Sequence, residues 1–142
     1  DTQARRGEIQ VVVDVPAGLP LIQGDQHQLT QLFTNLLANA YEAMEGRGRV
    51  VISAASVRMD DAGDGREAVR VEVADNGPGM PPDVADHIFD PFFTTKAKGS
   101  GLGLAIVRRI VDAHDGLIDL KTVPGAGTTI RVTLPTTALD EE

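Results

Sequence analysis

The chain has 142 residues, a formal net charge of −8, 42% hydrophobic residues and no cysteine. This length predicts one domain with a single core. The negative charge argues against a nucleic-acid surface or an anionic membrane as the main partner, and the lack of cysteine excludes disulfides and Cys-based metal sites. No apolar run has membrane-spanning length and no signal peptide is visible, which predicts a cytoplasmic location. The chain begins with Asp1, which favours a module excised from a longer protein.

The first elements follow from hydrophobic spacing. Residues 9–15 alternate as in a strand, and residues 26–45 carry an apolar stripe at helical spacing, with Asp25 as the N-cap. A second, polar stripe of the same helix holds Asn35, Asn39 and Glu42. Asparagine is unfavourable inside helices, so this stripe is either a solvated face or a functional one whose carboxamide oxygens bind Mg²⁺.

A strand ends at the first glycine cluster. Residues 50–57 and 69–75 read as two strands of a hairpin around a surface loop at 60–65. Asp75 has the parity of the valines before it, so it is expected to point to the apolar side, where a carboxylate needs a donor such as an adenine amino group. Gly77 and Gly79 follow, and they suit either a plain strand-to-helix turn or the close approach of a flat ring.

The second glycine cluster opens a helix. Gly99, Gly101 and Gly103 alternate before an apolar helix that starts at Leu104 and ends near residue 114. Backbone amides at such a helix start form a phosphate site, and residues 91–111 contain four cations and no acid. Neither the Walker pattern nor the dinucleotide fingerprint is present. A short helix at 82–87 and a hairpin of strands at 118–122 and 128–134 complete the pattern, while residues 1–7 and 136–142 are expected to be disordered.

These motifs, in this order, resemble the catalytic, ATP-binding domain of the sensor histidine kinases. The similarity covers about residues 9–135, and the Phe-Phe-Thr-Thr-Lys stretch at 92–96 is closest to the nitrogen-regulation type. The matching motifs are the N box at 35–40, the G1 box at 75–79, the F box at 89–93, the G2 box at 99–104 and the last glycine motif at 125–129.

The resemblance implies an α/β (α+β) two-layer sandwich, with a mixed, mostly antiparallel sheet against three helices and an ATP lid between the F and G2 boxes. We refer to residues 94–100 as the lid and expect it to be mobile without nucleotide. By the same resemblance, Asp75 binds the adenine amino group and Asn39 ligates Mg²⁺. Asn35, one turn away near the phosphates, is assigned as a catalytic residue and as a second metal-binding residue. The other residues implied to bind ATP are Ala43, Gly77, Gly79, Met80, Phe93, Thr94, Thr95, Lys98, Gly99, Ser100, Gly101, Leu102, Gly103, Leu104 and Thr128.

Two departures from the family pattern shape the expected chemistry. In related ATPases a water-activating glutamate stands at the position of Asn35, and a carboxamide cannot act as a general base, so we expect slow hydrolysis. Many members carry a lysine where this chain has Glu42, so Lys96 or Lys98 of the lid is expected to supply the phosphate-facing cation, and Lys96 is assigned as catalytic.

The resemblance also implies a partner. None of the three histidines fits the context of the family's phospho-accepting histidine, so the acceptor is expected on a separate dimerisation domain, with a response regulator acting downstream. The leading prediction is therefore a protein-histidine kinase catalytic domain in two-component signalling. The alternatives are an ATP hydrolase or serine kinase of the same superfamily, or a non-catalytic nucleotide-sensing module.

Overall fold

A computed structural model of the protein describes residues 9–19, 24–44, 47–59, 66–90 and 103–136. Within those residues no helix is both long and apolar enough to cross a bilayer. The elements in chain order are β1 (Ile9–Asp14), α1 (Gln26–Met44), β2 (Gly48–Met59), β3 (Arg66–Asp75), α2 (Pro82–Ala85), α3 (Gly103–Ala113), β4 (Leu117–Val123) and β5 (Gly127–Pro135).

The described strands form a mixed sheet in the order β1-β2-β3-β5-β4. The β1–β2 pair is parallel and the other pairs are antiparallel, as predicted. Both α1 and α3 pack on one face of the sheet, where the period-3.6 apolar stripes of the helices meet the period-2 apolar rows of the strands. The core members are Leu32, Leu36, Ala40, Met44, Val50, Val73, Leu104, Val107, Ile110, Val111, Ile130, Val132 and Leu134.

Some predicted limits were wrong. The helix predicted at 82–87 ends at Ala85, is four residues long and has no buried residue. Among the described residues, α1 and α3 therefore supply the buried helical side of the core. Thr136 was assigned to a disordered tail, yet it is only 4% exposed and its amide donates to the Glu67 carbonyl at 3.2 Å. Residues 1–7 and 137–142 lie outside the described residues.

His114 joins the end of α3 to the start of α1. Its Nδ1 lies 2.9 Å from the Ile110 carbonyl, and its Nε2 accepts the Asp25 amide at 3.1 Å. Asp25 in turn accepts the Gln28 amide at 3.1 Å, which confirms it as the N-cap of α1. Because one nitrogen must donate and the other accept, the neutral imidazole suits this bridge. The bridge fixes α1 relative to α3.

Asp115, after the last turn of α3, holds a left-handed conformation with φ of 60°. The Gly116 amide donates to the Val111 carbonyl at 3.0 Å, so the chain closes the helix in a Schellman-type turn whose left-handed position favours glycine. We expect Asp115→Gly to raise the free energy of unfolding by roughly 0.5–1 kcal/mol, measured by denaturant titration. Asp112→Gly, inside the same helix, is the control and should lower it by about 1 kcal/mol; a loss of stability in Asp115→Gly would contradict this account.

Candidate nucleotide site

One row of paired residues crosses the helix-facing side of the sheet. It runs Val11, Val50, Asp75, Thr128 and Thr122, from β1 through β2, β3 and β5 to β4. The first two members are apolar and pack in or against the core, whereas the last three are polar. The row therefore ends in a polar patch at the point where β3 finishes, and Asp75 lies on the apolar side, as its parity predicted.

The Asp75 carboxylate is buried but only partly used. It is 9% exposed, and its Oδ1 accepts the Gly77 amide at 2.9 Å. Burial raises the pKa of this carboxyl above its ordinary value, and hydrogen bonds from the Gly77 and Thr128 amides offset part of that rise. A carboxylate offers about four acceptor positions, so it keeps capacity for a further donor.

This burial makes the stability of the fold depend on pH. Below the ordinary value of 3.8 both the folded and the unfolded chain hold the Asp75 proton, and the group contributes nothing. As pH rises through the window between 3.8 and the raised folded pKa, the unfolded chain ionises first, so stability falls and the loss persists above that window. Relative to Asp75→Asn, wild type should therefore lose unfolding free energy as the pH rises from about 4 towards neutrality. A pH-independent difference would contradict the burial of the charged form.

Two glycines let the backbone close around Asp75. Gly79 has φ of +71°, and a Cβ there would lie 2.2 Å from the Val123 carbonyl oxygen. Gly127 has φ of +119°, and a Cβ there would lie 2.2 Å from the carbonyl oxygen of Asp75. Both positions therefore need glycine for backbone geometry and for space. The loop after β3 is thus pressed against the β4–β5 turn, and Gly125 N donates to the Pro78 carbonyl at 2.6 Å in the same contact.

Thr122 ties this loop to β4. Its hydroxyl accepts the Met80 amide at 2.9 Å and lies 2.9 Å from the Thr128 hydroxyl. On the other side of the loop, the side-chain oxygen of Asn76 accepts the Arg49 backbone amide at 2.8 Å. The backbone amide of Asn76 donates to the Arg49 carbonyl at 3.2 Å. The loop that contains Gly77, Gly79 and Met80 is therefore held by hydrogen bonds to both β4 and β2.

The polar stripe of α1 runs from this patch to the start of α3. Asn35, Asn39 and Ala43 are four residues apart, and eight residues of helix extend about 12 Å. At one end the Ala43 carbonyl oxygen lies 3.3 Å from where a Cβ of Gly77 would stand. At the other end Asn35 Nδ2 donates to the Gly103 carbonyl at 3.3 Å. Asn35 and Ala43 therefore lie on a side of α1 that adjoins the start of α3 and the loop after β3, whereas Glu42 of the polar stripe is exposed.

Among the described residues, neither Asn35 nor Asn39 uses its carboxamide oxygen in a hydrogen bond. The bond to Gly103 uses the Asn35 amide group and leaves its carboxamide oxygen, while Asn39 is half-buried and makes no side-chain hydrogen bond with the described residues. No cluster of three His, Cys, Asp or Glu capable of holding a metal occurs in the described ranges. The donor set present is thus hard, neutral oxygen, which suits a cation that is chiefly ligated by phosphates and water.

The lid side of the site is described only where α3 begins. Leu104 is 7% exposed and anchors the helix in the core, and a Cβ on Gly103 would meet nothing within 4 Å. The sequence-predicted residues that lie outside the described residues are Phe93, Thr94, Thr95, Lys96, Lys98, Gly99, Ser100, Gly101 and Leu102.

Sequence reasoning missed Thr122, Asn76 and His114 as parts of this architecture. Thr122 carried the same signal as Asp75, because it is a polar residue on the apolar parity of its strand, between Leu120 and the turn. The contact of His114 with Asp25 joins residues 89 positions apart, and no local pattern predicts it.

The sequence is similar to those of known proteins. Residues 24–138 match the family described as histidine kinase-, DNA gyrase B- and HSP90-like ATPase. The sensory histidine kinase/phosphatase NtrB of Rhodobacter capsulatus is 43% identical over 130 residues, covering 88% of this chain and 36% of that protein. The chain thus spans about a third of the length of such curated relatives.

Solved structures agree in fold. The mycobacterial sensor histidine kinase MprB is similar with a TM-score of 0.73 and 31% identity, covering 94% of this chain and 86% of that chain. Full-length ShkA in complex with AMPPNP is similar with a TM-score of 0.75 and 34% identity, covering 94% of this chain and 27% of that chain.

Proposed function

This chain belongs to the histidine kinase-, DNA gyrase B- and HSP90-like ATPase family, and we propose that it binds Mg·ATP and donates the γ-phosphoryl group to a histidine on a separate dimerisation domain. The observation that carries the proposal is the line of Asn35, Asn39 and Ala43 on α1. It connects a buried carboxylate at one end with the first turn of α3 at the other. A nucleotide laid along this line puts its base at Asp75 and its phosphates at α3.

At the base end, Asp75 accepts the amino group of adenine. The carboxylate is an acceptor only, so it selects a donor on the base edge and disfavours a carbonyl at the same place. Gly77, Gly79 and Met80 shape the pocket beside it, and Thr128 lies next to Asp75 in the sheet. The complex of the similar ShkA with AMPPNP supports ATP as the ligand.

At the phosphate end, Asn39 ligates Mg²⁺ and Asn35 supports it from one turn earlier. When bound, the ion neutralises phosphate charge and orients the transferred group. The protein supplies carboxamide oxygens and the amide groups at the start of α3, around Gly103 and Leu104. The lid cation Lys96, together with Phe93, Thr94, Thr95, Lys98 and residues 99–102, completes the proposed site from outside the described residues.

The γ-phosphoryl group is transferred to a protein side chain, and water is a poor acceptor for it. A carboxamide at Asn35 does not take up a proton near neutral pH, so this stripe lacks the group that would activate water. The described histidines have other surroundings: His114 bridges two helices, His87 lies 3.0 Å from Asp90 on the surface, and His27 is exposed in the first turn of α1. We propose a dimerisation domain of the same kinase as the phosphoryl acceptor, a response regulator downstream of it, and a cytoplasmic setting.

The proposal is tested by supplying the acceptor. The isolated chain, Mg·ATP labelled in the γ-phosphate and a separately produced dimerisation domain should yield a phosphoprotein that is lost in acid, since phosphohistidine is acid-labile. The chain alone should release phosphate slowly. Rapid release by the chain alone would favour an ATP hydrolase, an acid-stable product would favour a serine kinase, and ATP binding without transfer would favour a nucleotide-sensing module.

Asn39→Ala tests the metal end. Removing the carboxamide should weaken ATP binding by about tenfold or more when Mg²⁺ is present and change it little when Mg²⁺ is chelated. Isothermal titration under both conditions measures this difference. Thr34→Ala, at an exposed position on a different face of the same helix, is the control. Equal loss of affinity with and without Mg²⁺ would assign Asn39 to the nucleotide and not to the metal.

A further inference from the structure

β4 lies at one edge of the sheet and presents both apolar and charged side chains to solvent. Within the part of the chain that the structure describes, it pairs with β5 on one side and with no strand on the other. Its exposed residues alternate along the strand and are Leu117, Asp119, Lys121 and Val123. Leu117 and Val123 are 39% and 52% exposed. An open strand edge that carries apolar residues can accept a further strand.

The sequence of β4 is complementary to itself about Leu120. When a second copy of β4 lies antiparallel to the first with Leu120 on the two-fold axis, residues at equal distances on either side of Leu120 lie opposite each other. Asp119 then lies opposite Lys121 of the second copy, and Leu117 lies opposite Val123 of the second copy. Opposite charges and paired apolar groups at directly opposed positions stabilise a pair of strands.

The same charges disfavour the neighbouring registers. Moving the axis by one residue, to Asp119 or to Lys121, places that charged residue opposite its own copy. A parallel pair in register does this to both charges at once. Like charges at directly opposed positions destabilise a pair of strands, so the charge pattern selects the antiparallel register centred on Leu120.

The charges of β4 are available for such a contact. Asp119 Oδ1 accepts from Arg131 Nε at 3.1 Å, yet the Asp119 side chain is 61% exposed. A carboxylate has about four acceptor positions, so Asp119 can bind a second cation on its other side. Lys121 makes no ion pair with the described residues. The pairing therefore requires no existing contact to break.

The opposite edge of the sheet lacks this pattern. β1 reads Ile-Gln-Val-Val-Val-Asp, so its single charged residue is Asp14. No pairing of two β1 strands can then place opposite charges face to face. Of the two edges of the described sheet, only the β4 edge is complementary to itself.

We propose that β4 is an interface for a second copy of this chain, whose own β4 extends the sheet through both copies. Two strands of seven residues bury less than the roughly 800 Å² per partner of a standard interface, so the contact is weak. It forms where two copies are held at high local concentration, as a dimerisation domain would hold them. The contact involves no nucleotide and does not depend on the proposed function.

Cross-linking of two cysteine variants tests the register, because the chain contains no cysteine of its own. Leu117→Cys and Val123→Cys replace exposed side chains. Each variant alone should stay monomeric with oxidised glutathione, since the two copies of either position lie about 20 Å apart in the paired strands. An equal mixture should form a disulfide-linked heterodimer, because the two sulfurs then lie opposite each other.

Charge variants test the same contact by sedimentation equilibrium. Lys121→Glu converts two opposite-charge pairs into two like-charge pairs, so the dissociation constant of the dimer should rise about tenfold or more. Mixing Lys121→Glu with Asp119→Lys restores opposite charges across the interface and should restore association. Arg47→Glu, an exposed cation before β2, is the control for the change of net charge and should associate as wild type does.

A heterodimer in the cysteine mixture alone, with association lost in Lys121→Glu and regained on mixing, supports the proposal. Equal cross-linking in all three cysteine samples, or none in any of them, overturns it. If a cysteine variant fails to fold, the charge variants decide, and equal association of wild type and Lys121→Glu overturns the proposal. Wild type that remains monomeric up to its highest soluble concentration also overturns it. Failure to bind ATP would count against the proposed function alone.

Discussion

Asp75→Asn is expected to lose most of its affinity for ATP while the fold stays as stable as wild type or becomes more stable at neutral pH. A hydrogen bond to a charged group contributes about 1.5–3 kcal/mol, so we expect a loss of roughly 10- to 100-fold. Asparagine is isosteric and keeps an oxygen for the Gly77 amide, but its amide group then replaces the second carboxylate oxygen and opposes the amino group of adenine.

The gain in stability has a separate cause. A buried carboxamide is less costly to desolvate than a buried carboxylate, so the change removes the burial penalty that raises the pKa of Asp75. Calorimetric titration with ATP and denaturant unfolding at pH 7 measure the two effects. Asp83→Asn, an exposed acid in α2, is the control for the change of net charge. If Asp75→Asn bound ATP as tightly as wild type, the adenine assignment would be wrong.

Gly79→Ala is expected to lower both the stability of the fold and the affinity of the pocket for ATP. An alanine at φ of +71° is strained, and its Cβ would lie 2.2 Å from the Val123 carbonyl oxygen, so the backbone must move by about an ångström. Strain and overlap together should lower the free energy of unfolding by roughly 2–4 kcal/mol. The same movement displaces Met80 from Thr122, and we expect ATP affinity to fall about tenfold or more.

Gly125→Ala separates the two causes. Gly125 lies in the β4–β5 turn with φ of +83°, but a Cβ there meets nothing within 4 Å. It should therefore show the conformational penalty alone, about 1 kcal/mol. Thermal or denaturant unfolding of both variants gives the comparison. Equal losses in the two would show that the contact between Gly79 and Val123 contributes nothing.

The sequence allowed prediction of the parts that depend on local periodicity. The stripe of α1, the alternation in β3 and the glycine-to-helix junction at α3 all have a regular spacing, and the inward direction of Asp75 followed from it. The mixed sheet was implied by the family resemblance. The extent of α2 was overestimated because Pro81 and Pro82 mark where a helix begins, while too few apolar residues follow to continue it.

The contacts that complete the site are long-range. Three of them depend on how strands and helices pack. They are the close approach of Gly79 to Val123, the pairing of Asn76 with Arg49, and the hydrogen bond that His114 accepts from Asp25. Thr122 shows the intermediate case. Its position on the apolar side of β4 could be seen in the sequence, but a single threonine on a half-buried strand is common. Only its hydrogen bonds with Met80 and Thr128 show that it holds the loop.

The central claim is that α1 and the loop after β3 form a site for one Mg·ATP. Isothermal titration of the wild-type chain with ATP, with Mg²⁺ and with Mg²⁺ chelated, tests it most directly. We predict one nucleotide per chain, with affinity strengthened about tenfold or more by Mg²⁺. Absence of ATP binding under both conditions would contradict the claim.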